Sequence, residues 1–143
     1  KNRGNQNNIL RVGLDADVDA TYRRIVEAVS DRNYAFAEKQ ALALLEAKPT
    51  ASVMAMVQFW LGEIRMVYGD HTMAKEYYQN ALSVAQDHPK APDIMLKLAV
   101  IAFEHGETAE ADTIIAKLMK SHPKSTAAHL AATTQKKYKA VGR

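Results

Sequence analysis

One spacing dominates this chain. Gly69 and Gly106 lie 37 residues apart, as do Gly62 and Ala99, and Ala37, Ala74 and Ala111 fall on the same step. Self-similarity at a fixed period of this size marks a helical-repeat array, whose smallest unit is a helix-turn-helix of about 34 residues. Such a unit cannot bury its apolar face alone, so units stack, and the stack presents a long curved surface rather than an enclosed catalytic pocket. The period therefore predicts a binding scaffold.

The bulk composition is compatible with that reading. At 143 residues the chain has the size of one domain, with 48% apolar and 24% charged side chains. Much of the apolar fraction is alanine, a strong helix former that lets helices approach closely. The core is expected to be thin and elongated. A net charge of +3 conceals an uneven distribution: residues 18–123 hold 11 basic and 14 acidic side chains, whereas Lys124, Lys136, Lys137, Lys139 and Arg143 follow without an acid. A nucleic-acid binder is expected to carry its basic stripe on the folded surface, so nucleic acid is not the predicted partner. Lysines at the end of a last helix suit its dipole.

Cysteine is absent, which excludes disulfides and thiolate metal sites. No stretch approaches the roughly 18 apolar residues of a membrane span. Beginning at Lys1 without a leader, the sequence is expected to be a mature form or an excised fragment, with no address of its own.

Residues 1–17 are rich in Asn and Gly and read as a flexible linker. From Val18 the apolar spacing becomes helical. The first unit, about 18–50, pairs a helix near 18–30 with one near 34–47, joined by Asp31, Arg32 and Asn33 and stopped before Pro49. In the second, about 52–89, Gly69 is placed to take the left-handed turn and Asp70 to cap the next helix. In the third, about 91–123, Pro92 suits a first helical turn, Gly106 makes the turn and Thr108 is expected to cap. A cap helix at 125–138 follows, and 140–143 reads as a tail.

Counted from the start of each first helix, small residues fall at the eighth and twentieth places, Gly62 with Ala74 and Ala99 with Ala111, where two helices cross. Leu61 and Leu98 precede the eighth place, Tyr78 and Ile115 hold the twenty-fourth, and Ala81 and Leu118 the twenty-seventh. The pattern resembles the tetratricopeptide repeat, with the first unit departing at Ile25 and Ala41. The resemblance implies an all-α right-handed superhelix of three helical hairpins plus a C-terminal capping helix. More narrowly, FWLGEIRMVYGD, HPKAPDIMLKLA and SHPKSTAAHLA resemble the C-terminal repeat domain of the Tol-Pal-associated cell-division coordinator family of Gram-negative bacteria. The matching runs are Trp60 to Glu63 and Pro89 to Asp93, while His88 and His122 stand where that family has tyrosine before proline.

In the tetratricopeptide repeat the first helix of each unit lines the concave side. The resemblance therefore implies a protein-binding groove formed by Tyr22, Val26, Met56, Phe59, Trp60, Glu63, Met66, Leu96, Val100 and Phe103. That set is apolar, aromatic and methionine-rich, suited to an amphipathic helix or an extended segment with apolar anchors. The lysine-asparagine-arginine clamp of chaperone-binding repeats is not reproduced: Tyr22, Val26, Trp60, Asp93 and Lys97 hold the comparable places. His71, His88, His105 and His122 recur every 17 residues, half a repeat, so successive members are expected at opposite ends of the helix pairs, too far apart to share a metal. His129 stands alone on the cap helix. No catalytic, cofactor-binding or metal site is predicted, since neither a phosphate loop nor a nucleophile-base arrangement is present.

The expectation is a non-enzymatic protein-protein interaction scaffold. By the narrower resemblance its setting is the periplasm, its role the coordination of envelope constriction with peptidoglycan synthesis, and its partners Tol-system or cell-wall-synthesis proteins. The alternative expectation is a structural or assembly component of another envelope machine, such as a secretion, pilus or motility apparatus.

Overall fold

The computed structural model describes residues 3–141, with side chains from residue 17 onward. Among the described residues the elements are α1 (Arg3–Ser30), α2 (Tyr34–Glu46), α3 (Ala51–Val67), α4 (His71–Val84), α5 (Ala91–Glu104), α6 (Thr108–Ser121) and α7 (Thr126–Val141). Helices α1 and α2, α3 and α4, and α5 and α6 form three hairpins. Each first helix also rests on the second helix of the preceding hairpin. Helix α7 packs on both α5 and α6. It thus occupies the place that the first helix of a fourth hairpin would take.

The 37-residue step is visible in the hydrogen bonds of the turns. In the first hairpin the amides of Asp31, Arg32 and Asn33 donate to the carbonyls of Glu27, Val29 and Ala28. In the second, Tyr68, Gly69 and Asp70 donate to Ile64, Met66 and Arg65; in the third, His105, Gly106 and Glu107 donate to Ile101, Phe103 and Ala102. Each turn is the left-handed helix stop in which two amides beyond the helix end bond back to its last carbonyls. Gly69 and Gly106 sit at φ 74° and 76°, and Arg32 occupies the same place at φ 61°.

The residue after that turn begins the next helix. Asp70 accepts from the Met73 amide at 3.1 Å, a side-chain cap. Thr108 is not the third hairpin's cap, as expected, but its first helical residue; Glu107 stands at the cap and its side chain makes no capping bond. One extra methylene separates the Glu107 carboxylate from the position that Asp70 fills. Ser125 caps α7, accepting from the Ala128 amide at 3.1 Å.

Two boundaries differ from expectation. Helix α1 begins at Arg3, so the segment read as a linker continues the first helix. Nothing between residues 1 and 48 is proline, and Gly4 and Gly13 alone do not stop a hydrogen-bond ladder. At the other end α7 runs through Ala140 and Val141, which were read as tail. Lys1, Asn2, Gly142 and Arg143 lie outside the described residues.

The core is a chain of small clusters rather than one mass. Ile25, Ala41, Leu44, Val57 and Leu61 join the first hairpin to α3. Phe59, Ala74, Tyr78, Ala81, Ile94, Leu98 and Ile101 join the second to α5. A third cluster, including Phe103, Ile115, Leu118 and Ala131, seats α7. The crossing alanines Ala37, Ala74 and Ala111 are all fully buried.

Candidate protein-binding site

Helix α1 touches α3 and α5 touches α7, whereas α3 and α5 make no comparable contact. The ten residues expected to line the groove lie on α1, α3 and α5.

The structure divides them. Phe59 and Phe103 are core residues, 6% and 8% exposed, and are corrected from groove anchors to packing elements. The Phe59 ring packs edge-on against Trp60 at 5.2 Å between centroids and beside Tyr78 at 6.2 Å, and the Lys90 ammonium lies 5.6 Å over it. Phe103 lies flat beneath Tyr138 of α7, with ring centroids 4.9 Å apart and planes within 4°. The cap helix therefore covers the expected groove at Phe103. Leu96 leans on the same cluster and Met66 on the one before it.

Tyr22 and Trp60 are brought together across α1 and α3. The indole Nε1 donates to the tyrosine hydroxyl at 3.0 Å. Both rings also pack on the first cluster. Glu63 is a joint rather than a free ligand: the Tyr78 hydroxyl donates to its Oε1 at 2.9 Å and Lys97 Nζ of α5 stands 3.7 Å from the same oxygen. Burial, reinforced by the Glu63 carboxylate, pushes the Tyr78 phenol well above its ordinary range. Val26, Met56 and Val100 remain half-buried, as do Tyr22, Trp60, Glu63, Met66 and Leu96.

The more exposed large apolar side chains lie elsewhere. Phe36 and Leu42 on α2 are each 41% exposed, and Val67 and Tyr68 at the end of α3 are 55% and 53% exposed. Ala35, Glu38, Lys39, Leu42, Arg65 and Tyr68 enclose an open hollow of about 490 Å³ between α2 and α3. Arg65 crosses its floor to pair with Glu38, and its guanidinium covers the Tyr68 ring at 5.6 Å. Sequence reasoning passed over this hollow. Its signal was present in α2, where Phe36 and Leu42 lie off the Ala37, Ala41, Leu44 face that packs inward.

The histidine spacing has a second consequence. Successive members do alternate, but His71 and His105, two steps apart, meet: His71 Nδ1 lies 3.3 Å from His105 Nε2. Their ring centroids are 5.5 Å apart, a distance that the nitrogen separation and the two ring radii nearly account for. The nitrogens thus face each other along the line of centres. This is the geometry of a shared hydrogen, whereas two ligands of one metal direct their lone pairs to a common point beside that line. Among the described residues no group of three potential ligands is placed to hold a metal, and no helix is long and apolar enough to cross a membrane.

No curated protein matches the chain. The family model of the tetratricopeptide repeat matches residues 68–135, from the turn after α3 into α7, and leaves the first hairpin outside. The stacked hairpins have the tetratricopeptide-type helical-repeat fold. Over residues 68–135 the chain is thus similar to the tetratricopeptide repeat.

Proposed function

We propose that the chain is a non-enzymatic scaffold whose inner curve holds another polypeptide, either an amphipathic helix or an extended segment. Tetratricopeptide-repeat domains generally mediate protein-protein interaction. The observation that carries the reading here is the strip of half-buried apolar side chains on successive first helices, Val26, Met56, Met66 and Val100, left after the two phenylalanines are assigned to the core. Methionines adapt to an apolar partner surface at little cost.

The resemblance of Trp60 to Glu63 and of Pro89 to Asp93 to the Tol-Pal-associated coordinator family supports a finer assignment. The setting is the periplasm, the role is to couple outer-membrane constriction to peptidoglycan synthesis, and the partners are Tol-system and cell-wall-synthesis proteins. Photo-cross-linking in the native cell, with benzoylphenylalanine at Met56 or Val100, tests both levels. Adducts with those proteins are the expected outcome. Adducts that form only from Leu42 or Tyr68 would move the binding face to the outer hollow, and adducts with appendage-assembly proteins would overturn the finer assignment.

A further inference from the structure

The 37-residue step carries Tyr34 onto His71 and Tyr68 onto His105. Tyr34 and His71 are the first residues of α2 and α4, and Tyr68 and His105 are the C-caps of α3 and α5. The same two places therefore meet at consecutive junctions. Between the first and second hairpins they hold two phenol rings, edge to face with centroids 6.4 Å apart. Between the second and third they hold two imidazoles, nitrogen to nitrogen at 3.3 Å.

The substitution changes the chemistry of the joint. A bond between two imidazole nitrogens needs one N–H and one lone pair. Two neutral rings supply them, and so does a pair carrying one extra proton. With a proton on every nitrogen, two N–H groups face each other and the bond is gone.

The charges around the pair are few. Glu104 Oε2 of α5 stands 3.7 Å from His71 Nδ1, and its Oε1 accepts from Tyr138 of α7 at 3.0 Å. Lys75 of α4 is engaged by Glu107 at 3.9 Å and Glu110 at 3.5 Å, from the start of α6. Asp70 is held by the Met73 amide and by Arg65 of α3 at 3.9 Å. The joint also lies where neighbouring first helices are less closely apposed, since α3 and α5 do not approach each other as α1 and α3 or α5 and α7 do.

We infer that the His71–His105 pair is a protonation-operated latch between the second and third hairpins, closed while the pair carries no more than one extra proton and opened by the second. Through Glu104 it is continuous with the cap helix. The latch is a property of the fold and does not depend on which partner the array binds.

The test uses the full chain and its Tyr-for-His graft, His71→Tyr with His105→Tyr, which rebuilds the first junction at the second. Ring nitrogen shifts followed from about pH 8 to about pH 5, the span in which histidine charge changes, count the protons on each imidazole. Hydrogen exchange reads the amides of His105, Gly106 and Glu107, with Tyr68, Gly69 and Asp70 as the internal control. The expected result is exchange at least ~3-fold faster, relative to the control turn, as the second proton is added, and no such step in the graft. A His71→Asn, His105→Asn variant serves the same purpose if the graft is not helical. Two rings that titrate as independent single sites, or an exchange step that persists in the variants, would overturn the latch.

Discussion

Gly62 and Tyr78 are one packing unit. A Cβ placed on the glycine would stand 2.5 Å from Cε1 of the tyrosine ring, and that ring is completely buried. The corresponding pair is Ile25 with Ala41 in the first hairpin and Ala99 with Ile115 in the third, each pair sharing one buried cluster. Across the array the pair reads large-small, none-very large, small-large. The space between the two helices is shared rather than assigned to a position, as close packing requires.

Gly62→Ala should therefore destabilise the protein by ~1–3 kcal/mol through overpacking, since a fully buried ring has nowhere to move. Combined with Tyr78→Ile it rebuilds the third hairpin's arrangement. Urea unfolding of the two single variants and the double should give a double variant more stable than the sum of the separate losses, with a coupling of ~1 kcal/mol or more. Strict additivity would show that the two positions do not share one space.

The shared space explains what the sequence made legible. Gly69 and Gly106 located the second and third turns and the polar run Asp31, Arg32 and Asn33 the first, because turn residues act locally on the backbone. Ile25 and Ala41, read singly, looked like departures from the repeat, since volume is a property of a pair and a positional pattern sees one residue at a time. The candidate groove failed at Phe59 and Phe103 for a similar reason. A place in the repeat says which way a side chain faces, but Tyr138, which covers Phe103, comes from a helix 35 residues on. The length of α1 was hidden because the sequence offers no stop signal before it, and polar composition alone resembled a linker.

Tyr78 also makes the fold sensitive to alkali. Burial and the Glu63 carboxylate raise its folded-state pKa, so its stabilising contribution is complete below the pKa of an unfolded tyrosine, about 10, and is lost as pH rises beyond it. Between about pH 10 and pH 11 this one group steepens the decline by up to ~1.4 kcal/mol per pH unit. Tyr78→Phe should be less stable at neutral pH by ~1 kcal/mol or more, having lost its bond to Glu63, yet fall less steeply in alkali. Urea midpoints at several pH values, with Tyr77 and Tyr138 common to both proteins, check the difference.

Phe103→Ala should release the cap. Removing a nearly buried phenylalanine costs ~3–5 kcal/mol, and the Tyr138 ring loses the surface on which it lies. Tyr138→Ala removes the same stack from its half-buried side and should cost less, ~1–2 kcal/mol. Hydrogen exchange should show α7 losing protection before α3 in both variants, the order expected when an array frays from an end. Simultaneous loss in α3 and α7 would mean that the cap and the second hairpin unfold as one unit.

Arg32 is the place where the array departs from its own best solution. It occupies the left-handed position that Gly69 and Gly106 fill in the other turns, at φ 61°, with the same bonds from its neighbours to the carbonyls of α1. A residue with a Cβ held there carries ~1–2 kcal/mol of steric cost, which glycine avoids. The Arg32 side chain is exposed, and none of the ion pairs among the described residues uses it, so little is lost by removing it. The greater freedom of glycine in the unfolded chain offsets part of the gain by ~0.5–1 kcal/mol. Arg32→Gly should thus stabilise the protein by about 0.5–1 kcal/mol, seen as a higher urea midpoint with an unchanged slope. Arg32→Ala, which keeps the Cβ, should give no such gain, and equal midpoints for the two variants would show that side-chain removal rather than backbone relief is responsible.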